Sequence, residues 1–226
     1  MSEPRLIEVR RNVLKQNDVI ARALRDQFRA AGVFVVSLVS SPGSGKTAFL
    51  ERTLTQLQPR FRVAALVGDL ATDNDAARLA RSKAPVKQIT TGTLCHLEAA
   101  MVQTALQDWD LHQLDFLFIE NVGNLVCPSS YDLGENLRFV LMSVTEGEDK
   151  PQKYPTIFNS ADVAVITKDD LSVAVEFNWE AARKSIESVR PGMQVFRLSA
   201  KSGAGMQIYL DFLAQRLTEE RAMAHS

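Results

Sequence analysis

The stretch from Val33 to Thr47 constrains this chain more than any other part of it. An unbroken, β-branched apolar run, Val33–Val39, leads straight into Ser40-Ser-Pro-Gly-Ser-Gly-Lys46-Thr47, and a helical pattern starts at once from Lys46. Strand, glycine-rich turn and helix in that order gather consecutive backbone N–H groups and a helix N-terminus around one point, which makes an anion site. Gly43 and Gly45 let the backbone close on a phosphate, and Lys46 puts a point charge near the β- and γ-phosphates. The Thr47 hydroxyl is placed to bind Mg²⁺. Ser40 stands where the usual pattern has its first glycine, a position that mainly shapes the turn. The reading is a phosphate-binding loop with Gly43, Ser44, Gly45, Lys46, Thr47 and Ala48 as nucleotide contacts and Lys46 as a catalytic group.

Further apolar runs at Val63–Val67, Val86–Ile89, Phe116–Ile119, Phe139–Val144, Val163–Ile166 and Val195–Leu198 read as strands buried on both faces. Helical patterns over Lys46–Leu57, Asp75–Arg81, Thr93–Gln107, Asn178–Val189 and Ala204–Leu217 separate most of them. Such alternation predicts an α/β fold, a mostly parallel sheet flanked by helices, with ligands beyond the carboxyl ends of the strands. Ahead of it, Val9, Val13, Val19, Ile20, Ala23, Leu24 and Phe28 recur at roughly helical spacing and predict an N-terminal helix ending near Gly32. The division expected is a helical segment over 1–32 packed on a nucleotide-binding domain over 33–226. Pro151–Pro155 reads as a loop.

The net charge of −1 over 226 residues gives no electrostatic case for a nucleic-acid or acidic-membrane partner. No apolar run reaches the roughly 18 residues of a membrane span, and the charged start MSEPRLIEVRRN does not read as a signal peptide. A cytoplasmic protein is expected, its two cysteines free thiols.

Thr167-Lys-Asp-Asp170 follows one predicted strand and Ser199-Ala-Lys201 follows the next. The first resembles the Asn-Lys-x-Asp guanine motif with Thr167 in place of Asn, and the second resembles the loop that contacts guanine O6. A carboxylate at Asp170 can accept from guanine N1 and N2, a donor pair adenine lacks. Lys168 would lay its stem along the base. Each motif alone also fits a solvated strand exit; together they favour guanine. Asp69, at the end of the second strand, and Asp73 and Asp75 just beyond it are candidates to bind Mg²⁺ or orient the attacking water. Asp75 is the first choice and Asp69 the second, with helix capping as the alternative use. Phe116-Leu-Phe-Ile-Glu120-Asn-Val-Gly123 resembles a second switch, Glu120 contacting Mg²⁺ and the Gly123 N–H sensing the γ-phosphate.

Cys95 sits beside His96, and Cys127 lies just past Gly123. Thiolate and imidazole suit Zn²⁺, Ni²⁺ or Cu and not Mg²⁺, and three ligands per chain leave room for more across a two-fold axis. On composition alone the reading of buried, inert cysteines wins. Position argues for the metal, since Cys127 follows a segment that moves when the γ-phosphate is lost. His112 and His225 have no such company.

Several strings together resemble one family: Ser41-Pro-Gly-Ser-Gly-Lys-Thr47, Asn74-Asp-Ala-Ala-Arg78, Thr91-Gly-Thr-Leu-Cys-His-Leu97, Phe118-Ile-Glu-Asn-Val-Gly-Asn-Leu-Val-Cys-Pro128 and Ser143-Val-Thr-Glu-Gly-Glu-Asp-Lys-Pro151. By these the chain is similar to the HypB GTPases, which assist nickel insertion into [NiFe]-hydrogenase. The resemblance spans nearly everything after the first helix. It implies the SIMIBI type of P-loop fold, shared with signal-recognition and nitrogenase-iron-protein ATPases, and a homodimer closed by GTP. It implies a nickel or zinc site at that interface on Cys95, His96 and Cys127. It also implies a lysine that reaches the partner subunit's nucleotide, matched here by Lys153, with Lys150 the alternative. A small zinc-containing maturation partner and the hydrogenase large subunit are the implied partners. The Cys-rich or His-rich nickel-storage stretches of some members have no match here, so high-capacity storage is not expected. Three rivals stay open beside this reading: a urease-type nickel chaperone, whose Cys-Pro-His motif is not matched; a metal-buffering protein with little hydrolysis; and a GTPase chaperone of a cobalamin enzyme with its cysteines merely buried.

Overall fold

The computed structural model describes residues 3–69 and 74–224. Seven parallel strands form one sheet in the order β3-β2-β4-β1-β5-β6-β7. They are β1 (Phe34–Ser40), β2 (Val63–Asp69), β3 (Val86–Thr90), β4 (Phe116–Glu120), β5 (Leu137–Ser143), β6 (Val163–Thr167) and β7 (Gln194–Arg197). The helices are α1 (Glu3–Ala31), α2 (Lys46–Leu57), α3 (Asn74–Leu79), α4 (Ala99–Ala105), α5 (Lys150–Lys153), α6 (Pro155–Ser160), α7 (Trp179–Val189) and α8 (Met206–Ala224).

The central strands are buried on both faces, as their unbroken apolar runs require. Alternate residues serve opposite cores. On β1, Phe34, Val36 and Leu38 face the core beneath α2 and α8, where Tyr209 meets the rings of Phe49, Phe139 and Phe196. Val35 faces the core shared by α1 and α4, and Val39 the one beneath α6 and α7. The chain builds β2, β3 and β4 on one side of β1, then β5, β6 and β7 on the other. The loop after β1 therefore lies where the connections diverge, the place where open parallel sheets bind ligands.

Four expectations need correction. The helix expected over Thr93–Gln107 is only Ala99–Ala105. Gly92 turns the chain at φ +62°, and Glu98 enters α4 extended, so Cys95 and His96 sit on a loop. Pro151–Pro155 is not a loop but the starts of α5 and α6, each with proline at its first turn, where a missing N–H costs nothing. β5 begins two residues early because Arg138, a buried charge on the strand, pairs with Glu135 at 2.8 Å and donates to the Tyr131 carbonyl at 2.6 Å. On α1 the buried stripe is Asn17, Ala21, Leu24 and Phe28, while Val13 and Val19 are exposed. Asn17, a polar residue in the apolar row, was not in the expected pattern.

Candidate functional site

The strand register brings Ser40, Asp69, Glu120, Ser143 and Thr167 to one carboxyl edge. The loop after β1 turns through Gly43 (φ +75°) and Gly45 (φ +90°), the left-handed backbone that glycine adopts without strain. α2 then starts at Lys46 with its free N–H groups directed into a cleft of about 610 Å³. That cleft is lined by the loop from Ser41 to Ala48, by Asp75 and Arg78 of α3, and by Val122, Gly123 and Lys168. Lys46, Thr47 and Asp75 thus come together as expected. The Asp69 side chain and the whole of Asp73 lie outside the described residues.

Glu120 ends β4 almost wholly buried, at 1 % exposure. Its Oε1 accepts from Thr47 Oγ1 at 2.7 Å and stands 3.3 Å from Lys46 Nζ. Burial pushes the carboxyl pKa up, and the Lys46 ammonium opposes that rise. Its other oxygen, Oε2, is buried with no hydrogen-bond partner among the described residues. A hydrated cation beside Thr47 would satisfy that oxygen, so the residues fit Mg²⁺. Glu120 is also the first residue of the segment leading to Gly123, which lies against the phosphate loop: a Cβ on Gly123 would stand 3.2 Å from the Pro42 backbone.

A second cavity, about 190 Å³, opens beside the first between the β6 and β7 exits, with Ala48, Thr167, Lys168, Asp170, Ser199, Ala200 and Lys201 in its wall. Thr167 Oγ1 donates to the Ser44 carbonyl at 2.5 Å, so a threonine ties this loop to the phosphate loop where the guanine pattern has asparagine. Lys168 (φ +57°) lays its stem against Gly45 and donates to the Gly43 carbonyl at 2.6 Å. Asp170 Oδ1 accepts from Ser199 Oγ at 2.5 Å, which joins the two base motifs through one contact.

The alternatives for the distant lysine separate. Lys150 is half-buried and paired to Glu146 at 3.0 Å, a carboxylate that also accepts from Ser41 Oγ and from the Ser143 N–H. Lys153 stands on the surface, paired with exposed Asp149 at 2.7 Å, and among the described residues it is not in the lining of its own chain's cleft.

At the far end of the segment that starts at Glu120, the potential ligand atoms of Cys95, His96 and Cys127 lie within 4.8 Å of one another. The two sulfurs are 2.8 Å apart, and Cys95 Sγ is 4.0 Å from His96 Nδ1. Two thiolates on one tetrahedral metal stand about 3.7 Å apart, so metal uptake would part the loops by about 1 Å. The Cys127 hydrogen bond, then burial, push the Cys95 thiol pKa up; burial lowers that of His96 against the opposing effect of Glu98. His112 is exposed, as expected, and His225 lies outside the described residues.

Sequence reasoning missed what holds this cluster. The His96 ring stacks on Tyr131 with centroids 4.0 Å apart. Asn121 Oδ1 accepts the Leu97 and Val122 N–H groups at 3.0 and 2.9 Å, and Asn124 Nδ2 donates to the Cys95 carbonyl at 3.2 Å. Buried Asn17 accepts from the Ala99 N–H and donates to the Asp132 carbonyl, both at 2.8 Å. The one signal available was an asparagine at a buried helical position, four residues before Ala21.

Sheet order, glycine loop and the base loops beside it define a P-loop nucleotide-binding protein of the SIMIBI type. The same fold occurs in the signal recognition particle 54 kDa protein from Aeropyrum pernix in complex with GDP, at a TM-score of 0.56 over 82 % of this chain and 49 % of that one, with 13 % identity. Residues 33–197 match the family described as "CobW/HypB/UreG, nucleotide-binding domain". Hydrogenase maturation factor HypB from Azotobacter vinelandii is 46 % identical over 223 residues, covering 98 % of this chain and 74 % of the relative. The crystal structure of HypB from Helicobacter pylori in complex with nickel superposes at a TM-score of 0.85 with 40 % identity, covering 90 % of this chain and 96 % of that one. The chain belongs to the HypB family of hydrogenase maturation factors.

Proposed function

We propose that this chain is a cytoplasmic GTP-hydrolysing metallochaperone that assists nickel insertion during maturation of [NiFe]-hydrogenase, with nucleotide state coupled to homodimerisation and to metal held by Cys95, His96 and Cys127. The observation that carries the coupling is the segment Glu120–Cys127. One end bonds the two phosphate-loop residues Lys46 and Thr47, and the other end is a thiol of the metal cluster.

The sequence of events uses this chain's own groups. Lys46 and Thr47 both rest on Glu120, so a triphosphate competes for the Lys46 ammonium and the Thr47 hydroxyl. Glu120 then loses its partners while still buried, which is costly unless the segment shifts or a cation takes their place. Mg²⁺ held by Thr47, with Glu120 behind it, would neutralise charge on the β- and γ-phosphates. Asp75, with Asp69 as the alternative, positions the attacking water. Gly123, packed on Pro42, senses the γ-phosphate, and its movement passes through Asn124 to the Cys95 loop. Asp170, with Ser199, Ala200 and Lys201 around it, selects guanine. Lys153, free to leave the surface of its own subunit, reaches the nucleotide of the second copy. The metal is cargo, nickel or zinc, and a small zinc-containing maturation partner and the hydrogenase large subunit are the partners in its delivery.

The test is titration of the full chain with Ni²⁺ and Zn²⁺ in the presence of GDP and of a non-hydrolysable GTP analogue, with dimerisation followed in the same samples. Affinities that differ between the nucleotides, and binding lost in Cys95→Ala, are expected. Equal affinities in both states would leave a nucleotide site and a metal site with no coupling between them.

A further inference from the structure

His96 is 7 % exposed, and its two ring nitrogens have different surroundings. Nδ1 faces the thiols, 4.0 Å from Cys95 Sγ. Nε2 is buried and completes no hydrogen bond among the described residues, although Glu98 Oε1 stands 3.5 Å away. Tyr131 closes one face of the ring and leaves it little room to flip. A buried ring nitrogen without a partner is an anomaly in a folded protein. One with a carboxylate just beyond bonding distance, on the ring edge opposite a thiol pair, has the layout of a carboxylate–histidine–metal relay.

We propose that Glu98 is a positioning residue for the metal site: its carboxylate accepts the Nε2 proton of His96, which fixes the tautomer that presents the Nδ1 lone pair to the two cysteine sulfurs. This rests on the metal reading of Cys95, His96 and Cys127 given above. The two sulfurs must part on binding, which moves the Cys95–His96 loop, and a small shift closes the 3.5 Å gap to a hydrogen bond. With Nε2–H held, the imidazole is a better σ-donor and needs no ring search before ligation. Glu98 is suited to this by its backbone: it is the extended residue that enters α4, and its side chain makes no capping bond, so it is free to serve the histidine.

The experiment uses the full chain, reduced and metal-stripped, with GDP present. Zn²⁺ affinity is measured by competition with a chelator, and Co²⁺ serves as the spectroscopic probe. Glu98→Ala is expected to weaken Zn²⁺ binding by about 10–100-fold. Glu98→Gln keeps an oxygen acceptor for Nε2–H and should recover most of that loss. Both variants should keep the sulfur-to-cobalt charge-transfer bands of the parent, because the ligands themselves are unchanged, and both should keep parental GDP affinity and thermal stability. Affinity of Glu98→Ala within about 2-fold of the parent overturns the proposal. So does a Glu98→Gln variant as weak as Glu98→Ala with altered cobalt bands, since Glu98 would then be a ligand. Failure of the underlying reading looks different: the parent would bind no metal, or Cys95→Ala would bind as tightly as the parent.

Discussion

Replacing Asn17 by alanine tests whether α1 is part of the metal site or only its cover. Asn17 is 6 % exposed and joins two loops that are far apart in sequence. It accepts from the Ala99 N–H, just after the Cys95–His96 loop, and donates to the Asp132 carbonyl, just after Tyr131, each at 2.8 Å. Ala99 is fully buried, so its N–H loses its partner outright, at about 1–3 kcal/mol. Asp132 is half-buried, so water replaces part of that bond and the cost there is about 0.5–1.5 kcal/mol. The sum, about 1.5–4.5 kcal/mol, is a large share of a domain stability of about 5–15 kcal/mol but leaves the chain folded. Urea unfolding at fixed GDP should show a lower midpoint with an unchanged slope. Asn17→Asp keeps the bond from Ala99 and should lose less. Because the freed loops carry His96 and its stacking partner Tyr131, Zn²⁺ affinity in Asn17→Ala should also fall several-fold. A stability change under about 0.5 kcal/mol would refute the energetic argument. Full destabilisation with parental Zn²⁺ affinity would refute the claim that α1 sets the metal geometry.

Asp170→Ala should reduce the preference for GTP over ATP by at least about 100-fold, read by competition against a fluorescent nucleotide, because the base pocket loses its acceptor for the guanine donor pair; an unchanged preference would place base recognition elsewhere. Asp115 should shape the acid limb of stability: burial acts to raise its pKa, but hydrogen bonds from Arg62 and Arg221 outweigh burial and hold it well below the ordinary carboxylate range. Its contribution is therefore present above the unfolded value near pH 4 and lost as pH falls through the folded one. Asp115→Asn should lower stability at neutral pH and flatten the decline between about pH 5 and pH 2 in urea unfolding; an identical pH profile would show the cluster to be energetically silent.

Most of what carries chemistry is local in sequence, and so it was legible there. Strand, glycine turn and helix at Val33–Thr47 are fixed by hydrophobic period and by glycine at the left-handed positions, with no help from elsewhere. The same holds for Glu120–Gly123 at the end of a buried strand and for the two loops of the base pocket. Errors fell where polar partners or a turn outside the apolar period override it. Arg138 reads as a strand breaker until Glu135 and the Tyr131 carbonyl satisfy its charge. Thr93–Leu97 reads as helix until Gly92 turns the chain and the Asn121 amide takes the Leu97 N–H.

The sequence by itself determined the fold class and the phosphate loop, because each rests on residue types at short spacing, and it offered Cys95, His96 and Cys127 as candidate ligands only through position and family resemblance. Only the tertiary structure decided that Cys95 and Cys127 meet. It also decided that Lys150 is spent on Glu146 while Lys153 is exposed, and that Thr167 replaces asparagine by bonding the Ser44 carbonyl. The physical reason is common to these cases. Burial, the partner of a charge and the distance between loops depend on how seven strands are ordered, and no window of sequence contains that order.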